Sequence, residues 1–147
     1  MSQNIHLGQY DVETVLNDGG VKTTSAAGQV ASANKIVNLK GARMDAKAIV
    51  NVSAITNGTG ESFKVKIQVS DSATFTGDIV NVATLDLAPA AGLDGDKAKG
   101  VGQYEIPFNN APNGVLKPYI RVYHEVNNPS PANSPVASIN YTAWLTV

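Results

Sequence analysis

From Lys35 onward the apolar residues of this chain recur at every second position, the period of strands that bury one face. The clearest run is "SFKVKIQVS": Phe63, Val65, Ile67 and Val69 alternate with Lys64, Lys66 and Gln68, and the pattern stops at Ser70-Asp71-Ser72. Before it, "KIVNLKG" reads as a short strand ending at Gly41, and "KAIVNVSAIT" as a longer one ending at Asn57-Gly58, a strong turn dipeptide. Only "NGTGE" separates that strand from the Ser62 run, so the two are expected to pair as an antiparallel hairpin. "DIVNVATLDL", "QYEIPF", "LKPYIRVYHEV" and "VASINYTAWLTV" follow, divided by loops rich in Gly, Pro and Asn. About seven or eight strands at this spacing predict an all-β fold, an antiparallel β-sandwich or jelly roll. Asp71 is expected to end its strand through local side-chain hydrogen bonds, with Phe75 tucked back under the sheet.

Residues 1–34 lack the alternation. Ile5, Leu7, Tyr10, Val12, Val15 and Leu16 supply apolar anchors, but "NDGGVKTTSAAGQVASAN" is loop-like. The expected organisation is an N-terminal arm or edge strand with loops over 1–34 and a sandwich domain over 35–147. The first sixteen residues are expected to be removable without unfolding the rest.

Charge narrows the partners. Eleven Lys and Arg face twelve Asp and Glu, for a net charge of -1, and neither sign forms a block. Nucleic-acid binding draws on a basic patch that displaces phosphate counterions, so neither nucleic acid nor an anionic membrane is an expected partner. The absence of cysteine excludes disulfides, thiolate catalysis and cysteine-ligated metals. No stretch approaches the roughly 18 apolar residues of a membrane helix. The N-terminus has no basic start and no signal-like apolar run, which predicts synthesis in a cytoplasm.

Candidate chemistry is sparse. Asp94, Asp96 and Glu105 fall at the first, third and twelfth positions of an EF-hand-like count, but Ala98 and Lys99 occupy the fifth and sixth, where a further oxygen ligand and a glycine are required. A surface loop is the better reading. His6 and His124 are too far apart in sequence for a metal motif, and His124 shares the apolar parity of Ile120, Val122 and Val126, as at the rim of a core. No nucleophile elbow, Walker loop or dinucleotide fingerprint is present. Asp86, Glu105 and Glu125 are the carboxylates a glycosidase-like pair would draw on. No catalytic, cofactor or metal residue is assigned.

The surface that invites a partner is the opposite face of the 119–125 strand, where Tyr119, Arg121, Tyr123 and Glu125 align. Two aromatics flanking an arginine suit a protein contact or sugar stacking. Trp144 has the parity of Asn140, Thr142 and Thr146, opposite to Ile139, Tyr141, Ala143 and Leu145. If the second set faces the core, the single tryptophan lies outside it.

Three segments together resemble a known family: "IVNLKGARMDAKAIVNV", "FKVKIQVSDSATFTG" and "LKPYIRVYHEV". Their order and spacing are similar to those of the capsid cement or decoration proteins of tailed bacteriophages, which form a jelly-roll-like β-sandwich. With the last strand the resemblance covers residues 35–147. It implies a structural virion protein without catalysis, assembled as a homotrimer on the outer capsid surface and bridging neighbouring major capsid protein subunits. The arm, through Ile5, Leu7 and Tyr10, would serve subunit exchange or capsid docking, or else close the sandwich of its own chain. The long N-terminal part and the loop over 127–135 depart from the family's pattern. The alternative from the residues alone is a carbohydrate-binding module using Tyr119, Tyr123 and Trp144, and behind it a small hydrolase.

Overall fold

The computed structural model describes residues 14–56, 61–87, 100–128 and 137–146. They form twelve strands: β1 (Val15–Asn17), β2 (Val21–Lys22), β3 (Ala26–Ala27), β4 (Gln29–Val30), β5 (Ala33–Asn34), β6 (Val37–Asn38), β7 (Asp45–Thr56), β8 (Ser62–Ser70), β9 (Val80–Leu87), β10 (Gly102–Asn109), β11 (Tyr119–Asn127) and β12 (Ser138–Thr146). One sheet runs β1-β12-β7-β10, with β2 also on β12; the other runs β3-β11-β8-β9, with β6 also on β11. Strands β4 and β5 pair only with each other. Every pairing is antiparallel.

The all-β sandwich agrees with the alternation, but the strand count does not. Strands β6 to β12 are the seven that the pattern announces, and β1 to β5 are additions of two or three residues each. A strand that short has no room to display a period of two. The expected hairpin between β7 and β8 is also corrected. Strand β7 lies between β12 and β10, and β8 between β11 and β9, so the Asn57-Gly58 connection passes from one sheet to the other. Both strands alternate strongly because each is central in its own sheet and turns one face to the other sheet.

The core lies between these faces. Ala46, Ala48, Val50 and Val52 of β7 and Ile139, Tyr141, Ala143 and Leu145 of β12 meet Phe63, Val65, Ile67 and Val69 of β8 and Ile120 and Val122 of β11. Alanines on one sheet opposite larger side chains on the other let the two layers interdigitate at the usual spacing of about 10 Å. One polar link crosses this core. His124 Nδ1 of β11 lies 2.9 Å from the Tyr141 hydroxyl of β12, and both side chains are buried. Burial pushes the His124 imidazole down to about 4, with the Lys22 charge acting the same way and a hydrogen bond with the Thr24 backbone opposing both.

The segment from β1 to β5 stitches one side of the sandwich. Val15 and Leu16 are buried as β1 lies along β12. The buried Asn17 amide donates to Tyr141 O at 2.6 Å, while its Oδ1 accepts from Gln29 N at 3.0 Å. The chain then passes to the other sheet, where Gly28 N donates to Val122 O at 2.9 Å. A Cβ at Gly28 would stand 2.3 Å from Val122 Cγ1 and 2.4 Å from Leu16 O. Only glycine fits this crossing.

Two predictions follow from these contacts. Gly28→Ala should cost about 3 kcal/mol of folding stability in urea titrations, the upper end of overpacking costs; a variant as stable as the parent would mean that the chain does not cross there. The depressed His124 pKa also has a sign: between pH 6.5 and about 4 the unfolded chain binds a proton that the folded state excludes. Its contribution is therefore fully present above pH 6.5 and is lost as pH falls toward 4, on the order of 3 kcal/mol in total. His124→Gln keeps an amide near Tyr141 without a titrating ring, so its plot of stability against pH should lose this slope. Parallel plots for parent and variant would contradict the assignment.

Candidate interaction surface

The outward face of the β3-β11-β8-β9 sheet is built from alternate residues of its three long strands. Strand β11 contributes Tyr119, Arg121, Tyr123 and Glu125, all partly exposed. In register with them on β8 are Ser70, Gln68, Lys66 and Lys64. The two lysines carry ion pairs: Lys66 Nζ lies 2.5 Å from Glu125 Oε2, and Lys64 Nζ lies 3.7 Å from Asp86 Oδ1. The hydrogen bond from Lys66 holds the Glu125 carboxyl below its ordinary range. Arg121 is bound differently. Its Nε donates to Gln68 Oε1 at 2.9 Å, and Gln68 Nε2 donates to Asn81 Oδ1 at 2.8 Å.

Phe75 completes this face and corrects an expectation. The ring is buried, yet it is not beneath the sheet: Arg121 Cζ lies 4.3 Å from the Phe75 ring centroid and 5.4 Å from that of Tyr123. The guanidinium thus lies over the Phe75 ring and within reach of the Tyr123 ring on the outer face. The turn after β8 folds Phe75 outward. Ser70 Oγ donates to Gly77 O and accepts from Ser72 N, Phe75 N bonds Ser72 O, and Phe75 itself takes a φ of 52°. The hydroxyls of Ser72, Thr74 and Thr76 join in one network at 3.2 Å.

Pairing in β7, β8, β11 and β12 puts the connections over 39–44, 71–79 and 110–118 at one end of the sandwich. Two side chains bind them together. Asn110 is buried and donates to Ala42 O and Lys117 O while its Oδ1 accepts from Met44 N. Lys117, only 7% exposed, pairs with Asp78 and, at 3.6 Å, with Asp71. Around this clamp Ile79, Val115 and Leu116 are exposed by 42%, 56% and 37%. Strand β1 also enters from this end, since Val15 pairs with Trp144 and the chain runs from there toward β2 beside Ile139.

Trp144 is corrected as a surface contact. It lies outside the central core, as its parity requires, but it is 7% exposed. Val15, Ile49 and Val30 cover it in a second cluster on the outer side of the other sheet. The cover comes from β1 and the β4–β5 hairpin, whose turn residues Ala31 and Ser32 both have positive φ. Trp144 therefore shares no surface with Tyr119 and Tyr123. Ile5, Leu7 and Tyr10 lie outside the described residues, as do Asp94, Asp96 and His6.

Of the carboxylates named from the sequence, Glu105 is separated from the other two. Glu105 pairs with Lys47 at 3.1 Å on the β1-β12-β7-β10 sheet, whereas Asp86 and Glu125 flank Lys64 on the other. A general acid needs a raised pKa, and Glu125 is shifted the opposite way. Sequence reasoning missed Gln68, Phe75, Asp78 and Lys117 as members of these surfaces, because the contacts that recruit them bridge distant turns.

The chain matches no family model and no curated protein sequence.

Because Trp144 fills a covered cluster, Trp144→Ala should cost about 3–5 kcal/mol, read from a lowered urea midpoint at constant slope. A loss below about 1 kcal/mol would mean that the ring is a surface group after all.

Proposed function

We propose that the protein is a structural virion component that binds the outside of a phage capsid and cements neighbouring major capsid subunits, acting as a homotrimer. The observation that carries this reading is the end of the sandwich bearing Ile79, Val115 and Leu116. Exposed aliphatic side chains on turns held rigid by buried Asn110 and Lys117 suit a contact with another protein, because burying them releases water without first ordering the loops. The sequence resemblance over residues 35–147 supplies the identity of the partner.

On this reading the sandwich is a spacer of fixed shape, and its work is mechanical. A subunit seated over a junction adds buried area on several neighbours at once, and linked contacts strengthen each other through effective concentration. Three copies acting together resist opening of the shell far better than one. Strand β1 begins at the same end, and on this reading the residues before it, among them Ile5, Leu7 and Tyr10, supply a second contact.

The carbohydrate alternative has no platform that joins its three aromatics, since Trp144 is covered and on the opposite sheet.

The test uses purified protein and phage shells lacking it. Light scattering after size exclusion should give a trimer, and the protein should co-sediment with the shells and raise their resistance to heat. Replacing Ile79, Val115 and Leu116 together by Ser should weaken shell binding at least tenfold without unfolding the protein. Deleting residues 1–13 probes the arm; a cut through residue 16 would remove the buried Val15 and Leu16 and so destabilise the sandwich. Undiminished shell binding by the triple variant would refute the docking end, and absence of binding by the parent would refute the capsid role.

A further inference from the structure

The charges on the outer face of the β3-β11-β8-β9 sheet do not close. Lys64 has Asp86 and Lys66 has Glu125. Arg121, between them and the 71–79 turn, has no carboxylate within ion-pair distance among the described residues. Its surroundings are nevertheless built around it. Phe75 and Tyr123 both lie within cation–π reach of the guanidinium, and Gln68, itself held by Asn81, accepts the Nε hydrogen bond. Burial by these neighbours also pushes the Arg121 pKa down, the sign of a cation that has lost water without gaining a counter-charge.

We propose that Arg121 is a binding site for a carboxylate, filled by an Asp or Glu side chain of the protein partner that covers this face. With Nε engaged by Gln68, the two terminal nitrogens remain as a planar fork, the geometry that grips a carboxylate through two parallel hydrogen bonds. Orientation is fixed before binding, so little rotamer freedom is lost when the partner arrives. Tyr119 and Tyr123, two residues to either side on the same face, rim the site and exclude water around the ion pair. The neighbouring lysines do not compete for an incoming acid, because each already holds one.

This site deepens the proposed capsid contact and rests on that reading only for the partner's identity. Its chemistry is testable without a shell. The probe is N-acetylglutamate methylamide, titrated into the full-length protein while the Arg121 Nε–H signal and the Tyr119 and Tyr123 ring signals are followed by NMR. The expected result is a saturable shift at these groups in the millimolar range, at least tenfold weaker with the glutamine analogue, and lost in Arg121→Gln. Arg121→Lys, which keeps the charge but not the fork, should also weaken the response severalfold while signals of the core remain in place. No shift in the parent protein, an equal shift with the glutamine analogue, or tighter binding of inorganic phosphate than of the carboxylate would overturn the assignment. If the probe binds but shells are not bound, the site stands and the capsid reading falls; if shells are bound by parent and Arg121→Gln alike while the probe does not bind, the reverse holds.

Discussion

The two sheets stay in one arrangement because a backbone with no side chain passes between them. At Gly28 the chain comes so close to Val122 and to the Leu16 carbonyl that a single added carbon would collide with both. That passage lets β1 lie on β12 and β3 lie on β11 within a dozen residues. The Asn17 amide, buried beside it, satisfies backbone groups of β12 and of the residue that starts β4, so that leaving the sheet edge strands no buried polar group. The His124–Tyr141 bond then ties the same two long strands through the core. Together these contacts replace the strand pairing that β1 to β5 are too short to supply.

A scaffold fixed in this way can hold different surfaces on its outer faces and ends. On one sheet the outer face is a set of paired charges with Arg121 left over; on the other the β4–β5 hairpin covers the part that holds Trp144, while Lys47 and Glu105 stay exposed. At one end the loops are clamped by Asn110 and by the ion pairs of Lys117, and aliphatic side chains stand out around the clamp. Lys117 is buried while Asp71 and Asp78 are half exposed, so these ion pairs are screened by water and contribute little net stability. Their consequence here is geometric, because they give the turns over 71–79 and 110–118 one relative position. A rigid apolar rim and an oriented cation are complementary parts of a docking surface, one supplying area and the other direction.

The alternation of β7 to β12 was legible because each of these strands buries one face along eight or more residues. The same signal misled at the Asn57-Gly58 turn: a turn dipeptide between two alternating runs looks alike whether it joins neighbours in a sheet or crosses between sheets. Which occurs depends on how many partners each strand has, and partners come from elsewhere in the chain. Trp144 shows the other limit. Its parity correctly set it apart from the central core, but its cover is a hairpin from residues 29–34 whose turn uses Ala31 and Ser32 at positive φ, a conformation that neither residue advertises.

The sequence by itself determined the all-β class, the inward faces of the long strands and the outward row of Tyr119, Arg121, Tyr123 and Glu125, because a period of two is a local property that survives without tertiary knowledge. Tertiary structure alone decided that Phe75 stacks outside the sheet on Arg121, that Lys117 meets Asp71 and Asp78 from about 40 residues away, and that Trp144 is covered. These are contacts between turns and edges, where side chains have no fixed period. Their partners are chosen by the packing of the whole sandwich.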